Sequence, residues 1–323
     1  MIELASIVLN EAQFAGVVSY GLIPLTRILS HYLLVTADDE RYWRSDPNQY
    51  IADDENEHDT TNIKVLTLQT FSLLIENFKD DAVKCIMAIV DNLLFNSEEK
   101  DMKNVFMSIM KKVPATLQMA IKALNLEDLF EFNLTAMFGQ NLSSLVWKKR
   151  EVALLLLGKF SVDIVSCYTA DGKSQLTVLI DSLISILAEK DIHPILLGRD
   201  LWTIGQITDS TSNNAVENPA VLSKVFTLSC HYLGSSLPPI RLMAAQTLIL
   251  TGEKIVRDKI DPKSIKVDYY DAFNNVVTLA EECNELTAHI ITSSLKCLNK
   301  MVPSLVVETA KILSKDLLLL FYK

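Results

Sequence analysis

A chain of 323 residues, 49% of them apolar, is long enough to bury a sizeable core. Glycine and proline are scarce at nine each and aromatics make up 7%, which excludes a turn-rich sheet protein and points to helices throughout. The formal net charge of −10 argues against a nucleic-acid surface, because phosphate contacts need clustered Lys and Arg, and a basic partner fits it better.

The first forty residues are compatible with a helix pair. The stretch that follows, "YWRSDPNQYIADDENEHD" from Tyr42 to Asp59, combines aromatics, an Asp-Pro turn, a Tyr-Ile pair and a burst of carboxylates. It reads as an acidic interhelical loop over 38–60. Next, "IKVLTLQTFSLLIENF" (Ile63–Phe78) sets Val65, Leu66, Leu68, Phe71, Leu74, Ile75 and Phe78 on one helical stripe. "DDAVKCIMAIVDNLLF" follows with Asp80 and Asp81 in its first turn, where acids suit the helix dipole; the two predict an antiparallel hairpin. Further helices are predicted near 102–112, 114–124, 126–138, 144–161, 174–189, 193–208, 218–232, 237–257, 269–282, 285–300 and 303–322. Polar connectors such as "TADGK", "TDSTSNNAVENP" and "GSSLPP" separate them, and no long linker divides the chain.

Three segments resemble one another: "WKKREVALLLLGKF" from Trp147, "LLGRDLWTIGQITD" from Leu196 and "PPIRLMAAQTLILTGEKI" from Pro238. Each carries an early arginine and a later glycine, and Gly158, Gly205 and Gly252 are spaced 47 residues apart twice, within the period of two-helix HEAT-type repeats. Because a helical glycine costs about 1 kcal/mol, its recurrence suggests close helix approach or a helix end. The fold expected is all-α, a HEAT-repeat α-solenoid of stacked antiparallel helix pairs, one continuous segment over 1–323.

Those phrases also carry a resemblance. The aromatic, Asp-Pro, aromatic-aliphatic and acidic order of the 42–59 stretch, followed by a long helix and then by the three segments in sequence, resembles the central part of the importin-beta (karyopherin-beta) superfamily and its histone-importing branch. The likeness runs from about Tyr42 to the end. It implies a nuclear transport receptor that shuttles between cytoplasm and nucleus, binds basic cargo such as histones and is released by Ran-GTP, with nucleoporins as further partners. The family's amino-terminal arch, which first engages Ran-GTP, has no counterpart here. Its long acidic loop is also absent, and the region from Asn96 to Leu142 diverges from the family pattern.

Nine carboxylates, Asp38, Asp39, Glu40, Asp46, Asp53, Asp54, Glu55, Glu57 and Asp59, stand against Arg41 and Arg44 in this stretch. An EF-hand loop starting at Asp53 would need glycine at position six and glutamate at position twelve, but His58 and Lys64 occupy them. Acid catalysis would need two fixed carboxylates with separated pKa values, which a run of this kind does not supply. The candidate contacts to a basic cargo are Asp53, Asp54, Glu55, Glu57 and Asp59; the other reading is a solvated interhelical loop without a partner. An exposed ion pair contributes only about 0.2–1 kcal/mol, so the acids would assist a larger binding surface and speed encounter. Tyr42, Trp43, Tyr50 and Ile51 are read as anchors holding the ends of the loop, with exposed peptide-binding pockets at Trp43 and Tyr50 as the alternative.

Remaining features carry less. Trp202 reads as core, and Trp147 begins a helix beside Lys148, Lys149 and Arg150, a basic triplet that opposes the dipole preference. Cys85, Cys167, Cys230, Cys283 and Cys297 form no C-x-x-C and read as buried reduced thiols, as in the cytosol or nucleus. The histidines (His31, His58, His193, His231, His289) are scattered, and no phosphate loop, metal motif or nucleophile elbow is present, so neither an enzyme nor a cofactor or metal site is expected. No apolar run reaches membrane-spanning length, since Arg27 and His31 interrupt the longest one. A HEAT-repeat scaffold that organises a complex without transport is the competing function.

Overall fold

The computed structural model describes residues 18, 21–56, 59, 61–95, 142–168, 173–211 and 219–305. Within them the chain is all-α: thirteen α-helices and no strand. They are α1 Leu22–Tyr32, α2 Ala37–Ser45, α3 Pro47–Glu55, α4 Ile63–Phe78, α5 Asp80–Phe95, α6 Leu142–Lys159, α7 Ser161–Tyr168, α8 Lys173–Leu187, α9 Pro194–Ser210, α10 Pro219–Tyr232, α11 Pro238–Arg257, α12 Tyr269–Ala280 and α13 Ala288–Met301. The helices predicted near 102–112, 114–124 and 126–138 lie outside the described residues, as does the one over 303–322 beyond Leu305.

Two sequence expectations change. First, within the acidic loop expected over 38–60, residues 38–55 form two short helices joined at Asp46. Thr36 and Asp39 cap α2 reciprocally, Asp39 N donating to Thr36 Oγ1 at 3.1 Å and Thr36 N to Asp39 Oδ2 at 2.7 Å. At α3, Asp46 Oδ1 accepts from Gln49 N at 3.1 Å and Pro47 opens the helix. Second, the segment 144–161 ends at Lys159, and Ser161–Tyr168 forms a separate helix. The contacts group the chain into two compact units: Met1–Glu40 with Asp54–Ala170, and Arg41–Asp53 with Asp171–Lys323.

In the first unit α4 and α5 form the predicted hairpin. α1 packs on both, and α6 and α7 pack on α5. Asn62 caps α4 by accepting from Lys64 N at 2.9 Å. Leu22, Leu29, Phe71, Leu74, Ile86, Leu154, Leu157 and Ile164 make a dry core, with the Phe71 and Phe160 rings 5.9 Å apart.

The second unit contains three helical hairpins, α8–α9, α10–α11 and α12–α13. Proline stands at the start of α9, α10 and α11, where its missing N–H removes no helical bond. Asp268 opens α12 by accepting from both Tyr270 N and Asp271 N at 3.0 Å. Contacts between successive hairpins run in one direction. Thr247 Oγ1 donates to Leu201 O at 2.8 Å and Arg257 Nη2 pairs with Asp209 Oδ1 at 3.0 Å, so α9 and α11 are parallel. Ser294 Oγ lies 3.5 Å from Ala245 O, and Cys297 faces Gly252, which sets α13 parallel to α11. On the other side Lys224 Nζ meets Asp181 Oδ1 at 3.0 Å and Tyr232 OH reaches Leu187 O at 3.3 Å, while Phe226 and Tyr269 stack at 6.1 Å. Thus α9, α11 and α13 form one layer, and α8, α10 and α12 the other.

Two of the recurring glycines, Gly205 and Gly252, serve this layer. A Cβ at Gly205 would lie 3.2 Å from Thr247 Cα, and one at Gly252 would overlap Cys297 Sγ while approaching Phe226 Cε2 to 3.2 Å. Alanine has a helix propensity better than glycine's by about 1 kcal/mol, but overpacking a filled core costs typically 1–3 kcal/mol. We expect Gly252→Ala to lower the unfolding free energy by about 1–2 kcal/mol and Cys297→Ala, combined with it, to recover part of that loss. A double-mutant cycle in urea checks the coupling.

Candidate functional site

The segment picked out by its sequence, α2 with α3, is held by a contact that no local pattern announces. Asn48 on α3 donates from Nδ2 to Glu282 O at 3.0 Å, 234 residues away. Thr287 Oγ1 donates in turn to Asn48 Oδ1. Both partners belong to the turn between α12 and α13, so Arg41–Asp53 forms a strap on the second unit.

That turn is itself built by Arg241, at the start of α11. The residue is 8% exposed, and its guanidinium serves three acceptors: Nε to Leu233 O at 3.1 Å, Nη2 to Asn275 O at 3.1 Å, and Nη1 to Glu282 Oε1 at 2.6 Å. Glu282 therefore takes Arg241 on its carboxylate and Asn48 on its backbone carbonyl.

The expected anchors divide. Trp43 and Ile51 are buried at 6% and 1% exposure, as packing anchors should be. Tyr50 is half-buried and Tyr42 is exposed at 47%. On α2 it faces away from the side that buries Trp43, one residue on, because neighbours in a helix point about 100° apart.

Of the expected cargo contacts, Asp53 and Glu55 are exposed on α3, Asp54 is half-buried, and Asp59 is half-buried just beyond the helix. Glu57 lies outside the described residues. Asp53 Oδ1 accepts from Gln49 Nε2 at 2.7 Å, and Asp59 accepts from both the hydroxyl and the amide of Thr61, bonds that lower its pKa. Other acids of the stretch are engaged by lysines of the first unit: Asp39 with Lys64 Nζ at 2.8 Å and Glu40 with Lys148 Nζ at 2.6 Å. Lys148 also lies over the Trp147 ring, 5.3 Å from its centroid. The basic triplet falls in the second turn of α6 rather than at its start, which relieves the conflict with the dipole, and Lys148 has an acid to meet.

Burial alone would raise the Asp39 pKa, but the charge of Lys64 and the hydrogen bonds from Lys64 and Thr36 outweigh it, and the carboxyl is held below its ordinary value of 3.8. A depressed folded-state pKa contributes stability that is present above the unfolded value and lost as pH falls through the folded one. We expect the α2 cap to loosen below about pH 4 and Asp39→Asn to abolish that acid dependence, as read from amide exchange in residues 36–40 across an acid titration.

Cys85, Cys230 and Cys297 are buried thiols whose pKa burial pushes up to about 12. Cys167 is exposed and Cys283 half-buried, contrary to the expectation that all five are interior. Cys167 lies on α7, a helix the sequence pattern did not resolve. Among the described residues no group of three or more His, Cys, Asp or Glu side chains could hold a metal ion, and no helix is long and apolar enough to cross a membrane.

No protein-family model matches the chain, and no curated protein is similar enough to it to count as a relative.

Sequence reasoning missed Asn48, Thr287 and Glu282, for which no spacing signal exists, whereas Arg241 was visible as the early arginine of the third repeated segment. Removing the Arg241 guanidinium leaves three acceptors without their charged donor. We expect Arg241→Ala to cost about 2–4 kcal/mol in urea unfolding. Arg241→Lys should recover only part of this, since one ammonium cannot span a fork of three acceptors.

Proposed function

We propose that this chain is a HEAT-repeat solenoid segment of the importin-beta type, nearest in its phrases to importin nine, and that it binds a basic protein cargo, core histones first among them. The observation that supports this most is the parallel layering of the second unit, in which each hairpin meets the next about one repeat further along the chain, as with Thr247 and Leu201 46 residues apart. Stacked helix pairs that contact only their neighbours leave extended faces suited to wrapping a partner. The net charge of −10 gives the partner its sign. On the family resemblance, the receptor shuttles between cytoplasm and nucleus, responds to Ran-GTP and meets nucleoporins; no catalysis, cofactor or nucleic-acid contact belongs to this reading.

A second reading, a HEAT scaffold without transport, is favoured by how many acids of the 38–59 stretch are taken up within the chain. Asp39 and Glu40 meet lysines, Asp46 caps α3 and Asp59 holds Thr61. Titration of the protein with a core-histone dimer, from low to physiological salt, separates the two. We expect tight, salt-sensitive binding that weakens about tenfold when Asp53, Asp54, Glu55, Glu57 and Asp59 become Asn or Gln, the order set by a few exposed ion pairs. Unchanged affinity would remove these acids from the mechanism, and no histone binding by the unaltered protein would leave the scaffold.

A further inference from the structure

We infer that the face shared by the carboxyl-terminal halves of α11 and α13 is a docking surface for an acidic amphipathic peptide segment, which sets apolar side chains on α11 and carboxylates on the lysines of α13. This partner is opposite in sign to the cargo proposed above and independent of it.

Both helices turn one side to α10 and α12 and leave the other uncovered. On α11, Gly252 looks toward Cys297 of α13 and Thr247 toward Leu201 of α9. Between these two contacts, on the side away from buried Ala244, Leu248 and Ile255, lie Ile249, Leu250, Glu253 and Val256. Ile249 and Leu250 are half-buried, Glu253 is exposed, and Val256 is exposed at 38%. Steps of three, four and seven residues place them on one stripe.

The facing part of α13 is basic. Ser294 and Cys297 meet α11, and Ile291 and Leu298 are buried. Lys296 and Lys300 are exposed and share a face, being four residues apart. Lys300 follows Cys297 by three residues, so it borders the contact with α11 and turns about 60° to the side away from Leu298. The α11 stripe opens on that side. The Cys297 thiol reports the same neighbourhood: burial raises its pKa most, Glu253 adds to the rise and Lys300 opposes it, so charges from both helices stand near one sulfur.

Charge selects the partner. Helix α13 holds no acid anywhere along Ala288–Met301, and among the described residues neither Lys296 nor Lys300 joins an ion pair. Arg257, at the end of the stripe, is matched by Asp209 at 3.0 Å, which leaves Glu253 as the acid facing two ammonium groups. Two lysines alone on a helix are an ordinary solvated surface. Here they border three apolar side chains that reach solvent, Ile249, Leu250 and Val256, and that pairing fits a ligand carrying carboxylates next to leucine-like groups. A nucleic acid brings no such groups, and the net charge of −10 repels a long polyanion. A short acidic segment meets only the charge within a Debye length, about 8–10 Å.

Fluorescence anisotropy on the full chain tests this with a labelled peptide of about 12 residues, ~18 Å as a helix and so matched to the stripe, built of Glu and Leu at helical spacing. A Lys/Leu peptide of the same design and an oligothymidylate are measured beside it. We expect the Glu/Leu peptide to bind at low salt and to weaken as salt rises. Lys296→Glu with Lys300→Glu should weaken it by about tenfold, and Lys296→Gln with Lys300→Gln, the milder pair, by about threefold. Glu253→Gln should tighten it by about threefold. Urea unfolding of each variant checks that the fold is kept. No binding by the unaltered protein, or binding indifferent to both lysine pairs, overturns the docking surface. Weaker binding after Glu253→Gln, or tighter binding of the Lys/Leu peptide, overturns the assigned sign. Preferred binding of the oligothymidylate, lost in the lysine variants, overturns the peptide in favour of a nucleic acid.

Discussion

The second unit depends on a buried guanidinium. Taking an arginine out of water costs several kcal/mol unless every donor direction finds an acceptor. Arg241 finds acceptors on three separate pieces of chain: the carbonyl just past α10, a carbonyl within α12, and the carboxylate that follows α12. None of the three can shift alone without stranding the charge, so the start of α11 ties its own hairpin, α10–α11, to the next, α12–α13. Lys254 does the same near the other end. It is 1% exposed, donates at 2.7 Å to Thr211 O where α9 ends, and lies 3.7 Å from Asp258. Placing a cation on the last carbonyls of a helix satisfies orphan acceptors and suits the dipole. Helix α11 is therefore pinned at both ends by charge, and between those ends its small residues let neighbours approach closely.

Such pinning explains how a thirteen-residue segment from far upstream can dock at all. The strap buries little, so it needs a receptor surface that is already rigid. Glu282 supplies this because its side chain is committed to Arg241, which leaves its carbonyl fixed for Asn48. Thr287, fully buried at the start of α13, completes the pair from the other end of the same turn. The dependence runs one way: α11 can hold the turn without the strap, but the strap has no latch without the turn.

Much of this was legible in the sequence and some was not, for reasons that differ by residue. Helices α4 and α5 carry long single-face stripes with acids and Asn62 at their starts, and their predicted limits coincide with the observed ones. Gly205 and Gly252 announced close helix approach through their spacing, since only packing repays a glycine in a helix. Asp46-Pro47 misled, because the same dipeptide serves as a turn and as the cap and first residue of a helix; what decides between them is whether the next turn finds burial, here through Ile51. Tyr42 misled for a related reason: once 42–43 is helical, the two aromatics point about 100° apart, and α2 buries only the narrow side that carries Trp43. Asn48 left no trace, because a contact across more than two hundred residues has no period.

The acidic stretch shows why a count of charges is a poor guide to a binding site. Nine carboxylates against two arginines describe a strongly negative segment only if the neighbours are left out. In the fold, Lys64 and Lys148 arrive from other helices to meet Asp39 and Glu40, and Asp46 spends its oxygen on the backbone of α3. Near the end of α3, Asp53 and Glu55 are exposed, and Asp53 accepts from Gln49 within its own helix. Attraction to exposed charges of this kind falls with salt, so what they lend to the approach of a basic partner is greatest at low ionic strength.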